Sequence, residues 1–289
     1  MTVLTSSMLP LPTVLQAGGW PVLLVAFVAG TCVGSFLNVC IHRLPADESV
    51  VTPRSRCPRC GTQIAWYDNL PLLSWAWLRA RCRSCGEGIS ARYPLVEAAT
   101  GALLLLALAR FGVTAAAAVA FVFTAALLLV TFIDLDHRFI PDEVSLPGIV
   151  VGFGASFLPG AIGGLDSLLG AVIGGGVLWA LAWGYERATG VEGMGLGDVK
   201  LLAMIGAFLG WQALPIVLVL ASITGSLAGV AVMVAEGGGA AGRRVTRRLG
   251  LRAILPFAQR AARRTAVPFG PFLALGAVVA LYCPALIPL

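Results

Sequence analysis

Long apolar runs recur along the whole chain, and shorter polar segments separate them. A helix that crosses a bilayer needs about 20 mostly apolar residues. Because the runs reach or approach this length, we predict an all-α polytopic membrane protein with about eight transmembrane helices. The predicted helices cover residues 20–41, 93–110, 113–133, 144–160, 165–184, 198–212, 213–235 and 267–287.

The composition agrees with this class, because 58% of the 289 residues are hydrophobic and only 12% are charged. A soluble domain carries about 25% charged residues. Residues 1–41 hold no charged residue, so they lack the basic segment that opens a secretory signal peptide. We interpret them as an external tail that leads into the first transmembrane helix.

The basic residues indicate how the chain is oriented. Residues 42–92, 134–143, 185–197 and 236–266, together with Lys200, hold 19 of the 20 Lys and Arg residues. Loops on the cytoplasmic side retain an excess of such residues. We therefore predict that these segments face the cytoplasm and that the N-terminus lies outside. The basic segment 236–266 is expected to contact membrane lipids, and no nucleic-acid partner is expected.

Two Cys-x2-Cys pairs lie in the polar loop 42–92, 21 residues apart, and a glycine follows each pair. This spacing is typical of a structural Zn²⁺ site with four thiolate ligands. Disulfides or a redox pair are the alternatives, but a cytoplasmic loop disfavours stable disulfides. The apolar stretch Leu70–Leu78 either lies on the membrane surface or covers the metal-bound core. The predicted ligands are Cys57, Cys60, Cys82 and Cys85.

Two aspartates stand where predicted helices meet the cytoplasmic side. Asp134 follows the apolar run Phe121–Ile133, and Asp198 precedes the apolar run Val199–Leu209. Ionisable groups at the membrane boundary are costly and therefore suggest function. Taken singly, Asp198 could be a helix N-cap and Asp134 could merely end a helix. Because the third predicted helix ends and the sixth begins inside, both carboxylates are expected at the same depth.

Two neighbouring carboxyl groups in a low dielectric share one proton. The ionised member can deprotonate a water that attacks a peptide carbonyl, while the protonated member donates to the carbonyl oxygen. Gly195 and Gly197 would let a substrate backbone approach closely. Lys200 would pair either with a carboxylate or with a lipid phosphate. The sequence thus predicts a hydrolytic site at the cytoplasmic end of the helices.

Six motifs follow one another along the chain: Gly34–Val39 with Arg43–Pro45, the two cysteine pairs, Arg92–Glu97, Ile133–Asp136 with Ile140–Asp142, Glu192–Lys200, and Pro268–Phe272. In this order they resemble the type IV prepilin peptidases, membrane aspartic proteases of the GxGD class. The resemblance covers nearly the whole chain. It implies that Asp134 and Asp198 are the catalytic pair, because the frame D-x5-I-x-D selects Asp134 over Asp136 and Asp142.

The resemblance also implies a substrate and a second activity. Members of the family cleave the short basic leader from prepilins or pseudopilins in the bacterial inner membrane. Many then N-methylate the new terminal residue with S-adenosylmethionine, and the large cysteine-containing loop is a feature of these bifunctional members. No segment shows a Rossmann-type fingerprint, so methylation depends on the resemblance alone. Glu97 and Glu192 are candidates for contacts with the methyl donor.

Three regions follow from this interpretation: a tail with the first helix over 1–41, a zinc-binding loop over 42–92, and a transmembrane peptidase domain over 93–289. Two other functions stay open. One is a peptidase of the same fold without methyltransferase activity, and the other is an ion- or proton-coupled transporter. Transporters often carry internal repeats and place their sites near the midplane, and the chain shows no such repeat. The sequence does not indicate the oligomeric state.

Overall fold

The computed structural model describes residues 11–190, 195–237 and 268–287, and helices account for most of them. Within these ranges no β-strand forms, and extended pairing is limited to two isolated bridges in the cysteine loop. The α-helices are α1 (Leu11–Arg43), α2 (Leu73–Trp77), α3 (Arg92–Phe111), α4 (Ala115–His137), α5 (Asp142–Ala155), α6 (Gly164–Thr189), α7 (Leu196–Leu209), α8 (Leu214–Gly237) and α9 (Gly270–Tyr282).

An α-helix lies at each of the eight predicted positions, which confirms the all-α membrane class. In the described part of the chain, five helices are long and apolar enough to cross a bilayer. Helices α5, α7 and α9 have only 14, 14 and 13 residues. At about 1.5 Å per residue they extend roughly 20 Å, which is short of a hydrocarbon layer of about 30 Å. The five long helices carry the spans Gly19–Ala46, Arg92–Phe111, Ala115–His137, Gly164–Thr189 and Trp211–Val232.

The chain folds as two compact units. Among the described residues, the first unit comprises those up to Ile133 together with Val150–Gly164. The second comprises Asp134–Ile149 and those from Leu165 onwards. The division into a tail, a cysteine loop and a peptidase region stays a prediction. The basic segment predicted over 236–266 lies outside the described residues beyond Gly237.

In the first unit, α1 packs closely along α3 because small residues face the contact. A Cβ at Gly30 would lie 2.8 Å from the Cα of Gly101, and one at Gly34 would lie 2.7 Å from the Cα of Glu97. Small residues four apart on a helix let two backbones approach in a membrane, where packing drives helix association. This contact places the C-terminal half of α1 against the start of α3.

In the second unit, α7 is the central helix. Its residues Leu201–Ala207 are all buried, so the helix is enclosed on every side. Gly170 of α6 and Gly206 of α7 touch backbone to backbone, and the Ser167 hydroxyl donates to the Ala207 carbonyl at 2.7 Å. Helix α9 packs on both α7 and α8. Because α7 is held on all sides, the residues at its N-terminus are fixed in position as well.

Candidate active site

Asp134 lies in the last turn of α4 and is buried, with 5% of its surface exposed. The backbone N–H of Gly270, the first residue of α9, donates to Oδ2 of Asp134 at 3.0 Å. The first N–H groups of a helix have no partner within the helix and favour a negative charge. The start of α9 therefore supplies a ready hydrogen-bond donor to this carboxylate.

Asp198 lies in the first turn of α7. The helix begins at Leu196, two residues earlier than predicted, and its N-cap is Gly195 without a side-chain cap. The interpretation of Asp198 as an ordinary N-cap is therefore wrong, because its carboxylate does not cap the helix. Its side chain is half-buried, and the charges of Asp198 and Asp134 are close enough to repel each other. The structure thus brings the two predicted aspartates together.

Ile140 packs between the backbone segments that carry the two aspartates. A Cβ at Gly197 would lie 3.1 Å from the Cβ of Ile140, and one at Gly270 would lie 3.3 Å from its Cδ1. Gly197 directly precedes Asp198, and Gly270 binds Asp134. The isoleucine in the D-x5-I-x-D frame therefore sets how closely these segments approach. Gly195, in contrast, is exposed and meets no side chain at its Cβ position.

The turn after α4 has a left-handed residue, Arg138, with φ 60°. A non-glycine residue in this region costs free energy, and such residues cluster at functional sites. The backbone N–H of Arg138 donates to the Asp134 carbonyl at 2.9 Å, and its positive charge acts on the Asp134 carboxylate. This turn reverses the chain from α4 towards Ile140.

Lys200 pairs with a carboxylate rather than standing free for lipid. Its Nζ lies 2.7 Å from each carboxylate oxygen of Asp142, so the contact is bidentate. Asp142 opens α5, while Lys200 lies one turn from the start of α7. The pair joins the N-terminal ends of the two helices beside Asp198. Asp136, the remaining carboxylate of the motif, is exposed.

The four cysteines lie in the first unit with the geometry of a metal site. Their Sγ atoms all lie within 4.8 Å of one another, and those of Cys57 and Cys85 are 3.8 Å apart. Four thiolates at a Zn–S distance of about 2.3 Å form a tetrahedron whose edges are about 3.8 Å. The donor set and its spacing therefore fit a metal ion such as Zn²⁺, and zinc itself stays a prediction.

The two cysteine turns share one backbone pattern. Gly61 and Gly86 have φ values of 69° and 71°, and their N–H groups donate to the carbonyls of Cys57 and Cys82, both at 2.9 Å. Glycine adopts this left-handed conformation without a steric cost. Hydrogen bonds from the side chain and backbone of Thr62 lower the pKa of Cys60 to about 6. In the second turn, a backbone hydrogen bond at Glu87 is outweighed by desolvation and hydrogen bonds with the neighbouring thiols, which raise the pKa of Cys85 to about 12. The two turns thus share their backbone geometry, and the thiol of Cys60 is the one that ionises most readily.

The apolar stretch Leu70–Leu78 covers the cysteine loop with part of its surface. Ser74 is buried, and the Trp75 indole N–H donates to the Ile89 carbonyl at 3.1 Å. Leu73 and Trp77 are exposed, with 69% and 82% of their surface accessible. The stretch therefore packs on the loop and presents an apolar edge outward.

Two predicted residues remain, Glu97 and Glu192. Glu97 is buried on α3, and its Oε2 accepts a hydrogen bond from the Leu72 backbone N–H at 2.8 Å. Glu192 lies outside the described residues.

Gly270 was assigned no role from the sequence, although it belongs to the motif Pro268–Phe272. The signal that could have found it is a glycine beside a proline at the start of an apolar helix.

The fold and these residues define a helical, multi-pass membrane protein with a pair of neighbouring aspartates and a four-cysteine cluster that could hold a metal ion. Residues 28–111 match the bacterial peptidase A24 N-terminal domain, and residues 121–230 match the type IV leader peptidase family. The chain belongs to the type IV leader peptidase family. Such a protein fits the bacterial inner membrane.

Several curated proteins are similar to the chain, each named prepilin leader peptidase/N-methyltransferase. That of Myxococcus xanthus (strain DK1622) is 48% identical over 73% of this chain, and the match spans 63% of that protein, less than two thirds of its length. That of Aeromonas hydrophila is 39% identical over 91% of both chains. That of Pseudomonas aeruginosa is 38% identical over 89% of both chains. No solved structure matches the chain.

Proposed function

We propose that this protein is an aspartic endopeptidase that removes the leader from type IV prepilins or pseudopilins and then N-methylates the new N-terminal residue. The observation that supports the peptidase most strongly is the meeting of Asp134 and Asp198 within a member of the leader peptidase family. The names of its relatives support both the substrate class and the methylation.

The two aspartates take different roles in this proposal. A hydrogen bond donated to a carboxylate favours its ionised form. Because Gly270 donates to Asp134, Asp134 is the base and Asp198 the acid. Asp134 takes a proton from water, the water oxygen bonds to the peptide carbonyl carbon, and Asp198 protonates the carbonyl oxygen. As the tetrahedral intermediate collapses, one of its hydroxyl groups returns a proton to Asp198, the C–N bond breaks, and the departing amine receives the proton held by Asp134.

The charge distribution supports cleavage at the inner face of the membrane. With the N-terminus outside, Asp134 and Asp198 face the cytoplasm, where the basic leader of a prepilin lies. The apolar stem that follows the leader would remain in the bilayer, which places the scissile bond at the interface. Gly195 is exposed next to this site, so an extended substrate backbone can approach it without a side-chain clash. Lipid headgroups and a prepilin are therefore the expected partners.

The metal has a structural role in this proposal. Cys57, Cys60, Cys82 and Cys85 would hold Zn²⁺, and four protein ligands leave no open position for a reacting water. The loop contains few helices or strands, so the metal would hold the two cysteine turns together.

S-adenosylmethionine would supply an electrophilic methyl group to the new terminal amine, which then loses one proton to water.

The test is incubation of the purified, membrane-reconstituted protein with a prepilin, with and without S-adenosylmethionine, followed by mass measurement of the product. We expect the leader to be removed in both reactions and one methyl group to be added only with the donor. Leader removal without methylation would show that the protein is a peptidase without methyltransferase activity. An intact prepilin in both reactions would overturn the proposal.

A further inference from the structure

The first unit contains a cavity of about 600 Å³ where the C-terminal end of α1, the start of α3 and the cysteine loop meet. Pockets for small molecules measure about 300–1,000 Å³. Ser35, Asn38 and His42 line it from one face of α1, since residues three and four apart share a face. Glu97 of α3 and Trp75 of α2 line it from other sides. The cavity is thus large enough for a ligand and has polar groups on several walls.

Glu97 is the chemically distinctive group of this cavity. It is 8% exposed, accepts a hydrogen bond from the Leu72 backbone N–H and interacts with the Ser35 hydroxyl. Throughout the described residues, no Lys, Arg or His forms an ion pair with it. A buried carboxylate without a positive partner is costly, because its charge has lost water and gained only neutral donors. This arrangement favours a ligand that carries a positive charge.

Of the three arginines that line the cavity, Arg43, Arg56 and Arg83, two are engaged elsewhere. The guanidinium of Arg43 donates to the carbonyls of Ser49 and Pro53 at 2.8 and 2.6 Å. The guanidinium of Arg83 forms a bidentate pair with Asp68 at 2.7 and 2.6 Å. Among the described residues, none of these three guanidinium groups forms an ion pair with Glu97, so its carboxylate is available to a ligand.

Aromatic side chains complete the walls. The Trp75 ring is fixed by its hydrogen bond to the Ile89 carbonyl, and the Tyr67 ring lies 5.6 Å below the guanidinium of Arg83. A fixed indole gives a flat apolar surface for a planar heterocycle and attracts cations at its face. A ligand with a planar base at one end and a positive charge at the other matches this combination.

We propose that this cavity binds the methyl donor, with Glu97 facing the positively charged end of S-adenosylmethionine and the Trp75 wall contacting its adenine. This inference rests on the methylation in the proposed function and assigns it a site. Cys57 and Cys82 also line the cavity, so the metal would fix one wall of the donor site. The cysteine loop would then contribute to methylation by shaping the cavity.

The experiment measures S-adenosylmethionine binding to the full-length, zinc-loaded protein in detergent by calorimetry. Glu97→Gln keeps an acceptor for the Leu72 N–H and removes the charge, so we expect affinity to fall about ten-fold or more. The matched control is Glu48→Gln, because Glu48 is exposed and does not line the cavity. Zinc content should remain normal in both variants, and leader cleavage should remain normal in Glu48→Gln.

A second variant, Ser35→Leu, reduces the cavity volume and should weaken binding without altering any charge. If Glu97→Gln loses its zinc, this variant decides the outcome. If every cavity variant that retains zinc binds S-adenosylmethionine with unchanged affinity, the cavity is not the donor site, and the methylation proposal still stands. Absence of binding to the unaltered protein would instead overturn the methylation itself.

Discussion

The backbone N–H of Gly270 donates to Oδ2 of Asp134 at 3.0 Å, and a Cβ at position 270 would lie only 2.6 Å from that same oxygen. The two residues are 136 positions apart in sequence. Because the contact is so close, any side chain at position 270 must displace the carboxylate. The start of α9 thus fixes both the position and the hydrogen bonding of one member of the aspartate pair.

Gly270→Ala should therefore impair leader cleavage without unfolding the protein. The added methyl group moves a carboxylate that has little freedom, and a misplacement of about 1 Å can cost about 10²-fold in rate. We expect the rate of leader removal to fall about ten-fold or more. The control is Gly229→Ala, because a Cβ at Gly229 meets no atom within 4 Å. Equal rates in the two variants would show that the contact does not position the base.

Asp134→Asn and Asp198→Asn should each abolish leader cleavage, because an amide neither takes the proton from water nor supplies an acidic one. General acid–base groups contribute about 10²–10⁴-fold to rate. Cleavage in reconstituted vesicles is the measurement, with zinc content as the check on folding. Asp136→Asn is the control, since Asp136 lies only two residues after the buried Asp134 and is exposed. A prepilin processed at the normal rate by either Asp134→Asn or Asp198→Asn would contradict the assignment.

The sequence predicted the parts of the site that depend on local pattern. The cysteine turns were predictable because their spacing and glycines are local features, and the aspartates because each follows or opens an apolar run. Ile140 and Gly270 were not assigned, because their importance comes from contacts with residues far away along the chain. Helices α5, α7 and α9 were predicted to span the membrane for a related reason, although each is shorter than a bilayer crossing requires. Apolarity predicts burial but does not distinguish a short buried helix from the end of a longer span.

Helix packing in the second unit gives a stability prediction with a matched control on a single helix. Gly170 of α6 touches the backbone of Gly206, whereas a Cβ at Gly176 of the same helix meets nothing within 4 Å. Gly170→Ala should lower the thermal unfolding temperature, because the new methyl group forces α6 and α7 apart. Gly176→Ala should leave it unchanged or raise it, since alanine favours a helix over glycine by about 1 kcal/mol. The opposite order of the two temperatures would contradict the observed packing.

The metal site predicts a pH-dependent zinc content. Thiolates bind zinc, and the lowered pKa of Cys60, about 6, keeps this ligand ionised at neutral pH. Protons compete with the metal for the thiolates, so zinc should remain bound at pH 7 and leave as the solution is made acidic. Metal analysis after dialysis at each pH is the measurement. Cys57→Ser with Cys82→Ser should lower bound zinc at all pH values, and Cys32→Ser is the control because Cys32 lies outside the cluster. Absence of zinc from the unaltered protein would exclude a zinc site.

The ion pair between Lys200 and Asp142 should affect catalysis more than stability. Both side chains are partly exposed, and such pairs contribute about 0–1 kcal/mol to folding. The pair nevertheless joins the starts of α5 and α7, two residues from Asp198, so its loss should let that turn move. We expect Lys200→Met and Asp142→Asn to slow leader cleavage several-fold while the unfolding temperature changes little.

The combination of the two substitutions separates this positioning role from independent effects. If the pair acts as a unit, the double variant should be no slower than either single variant, because the second substitution removes nothing further. Glu143→Gln is the control, since Glu143 is the exposed neighbour of Asp142 and, among the described residues, forms no ion pair with Lys200. Rates that multiply in the double variant would show that Lys200 and Asp142 act separately, and the bidentate contact would then have no part in holding Asp198.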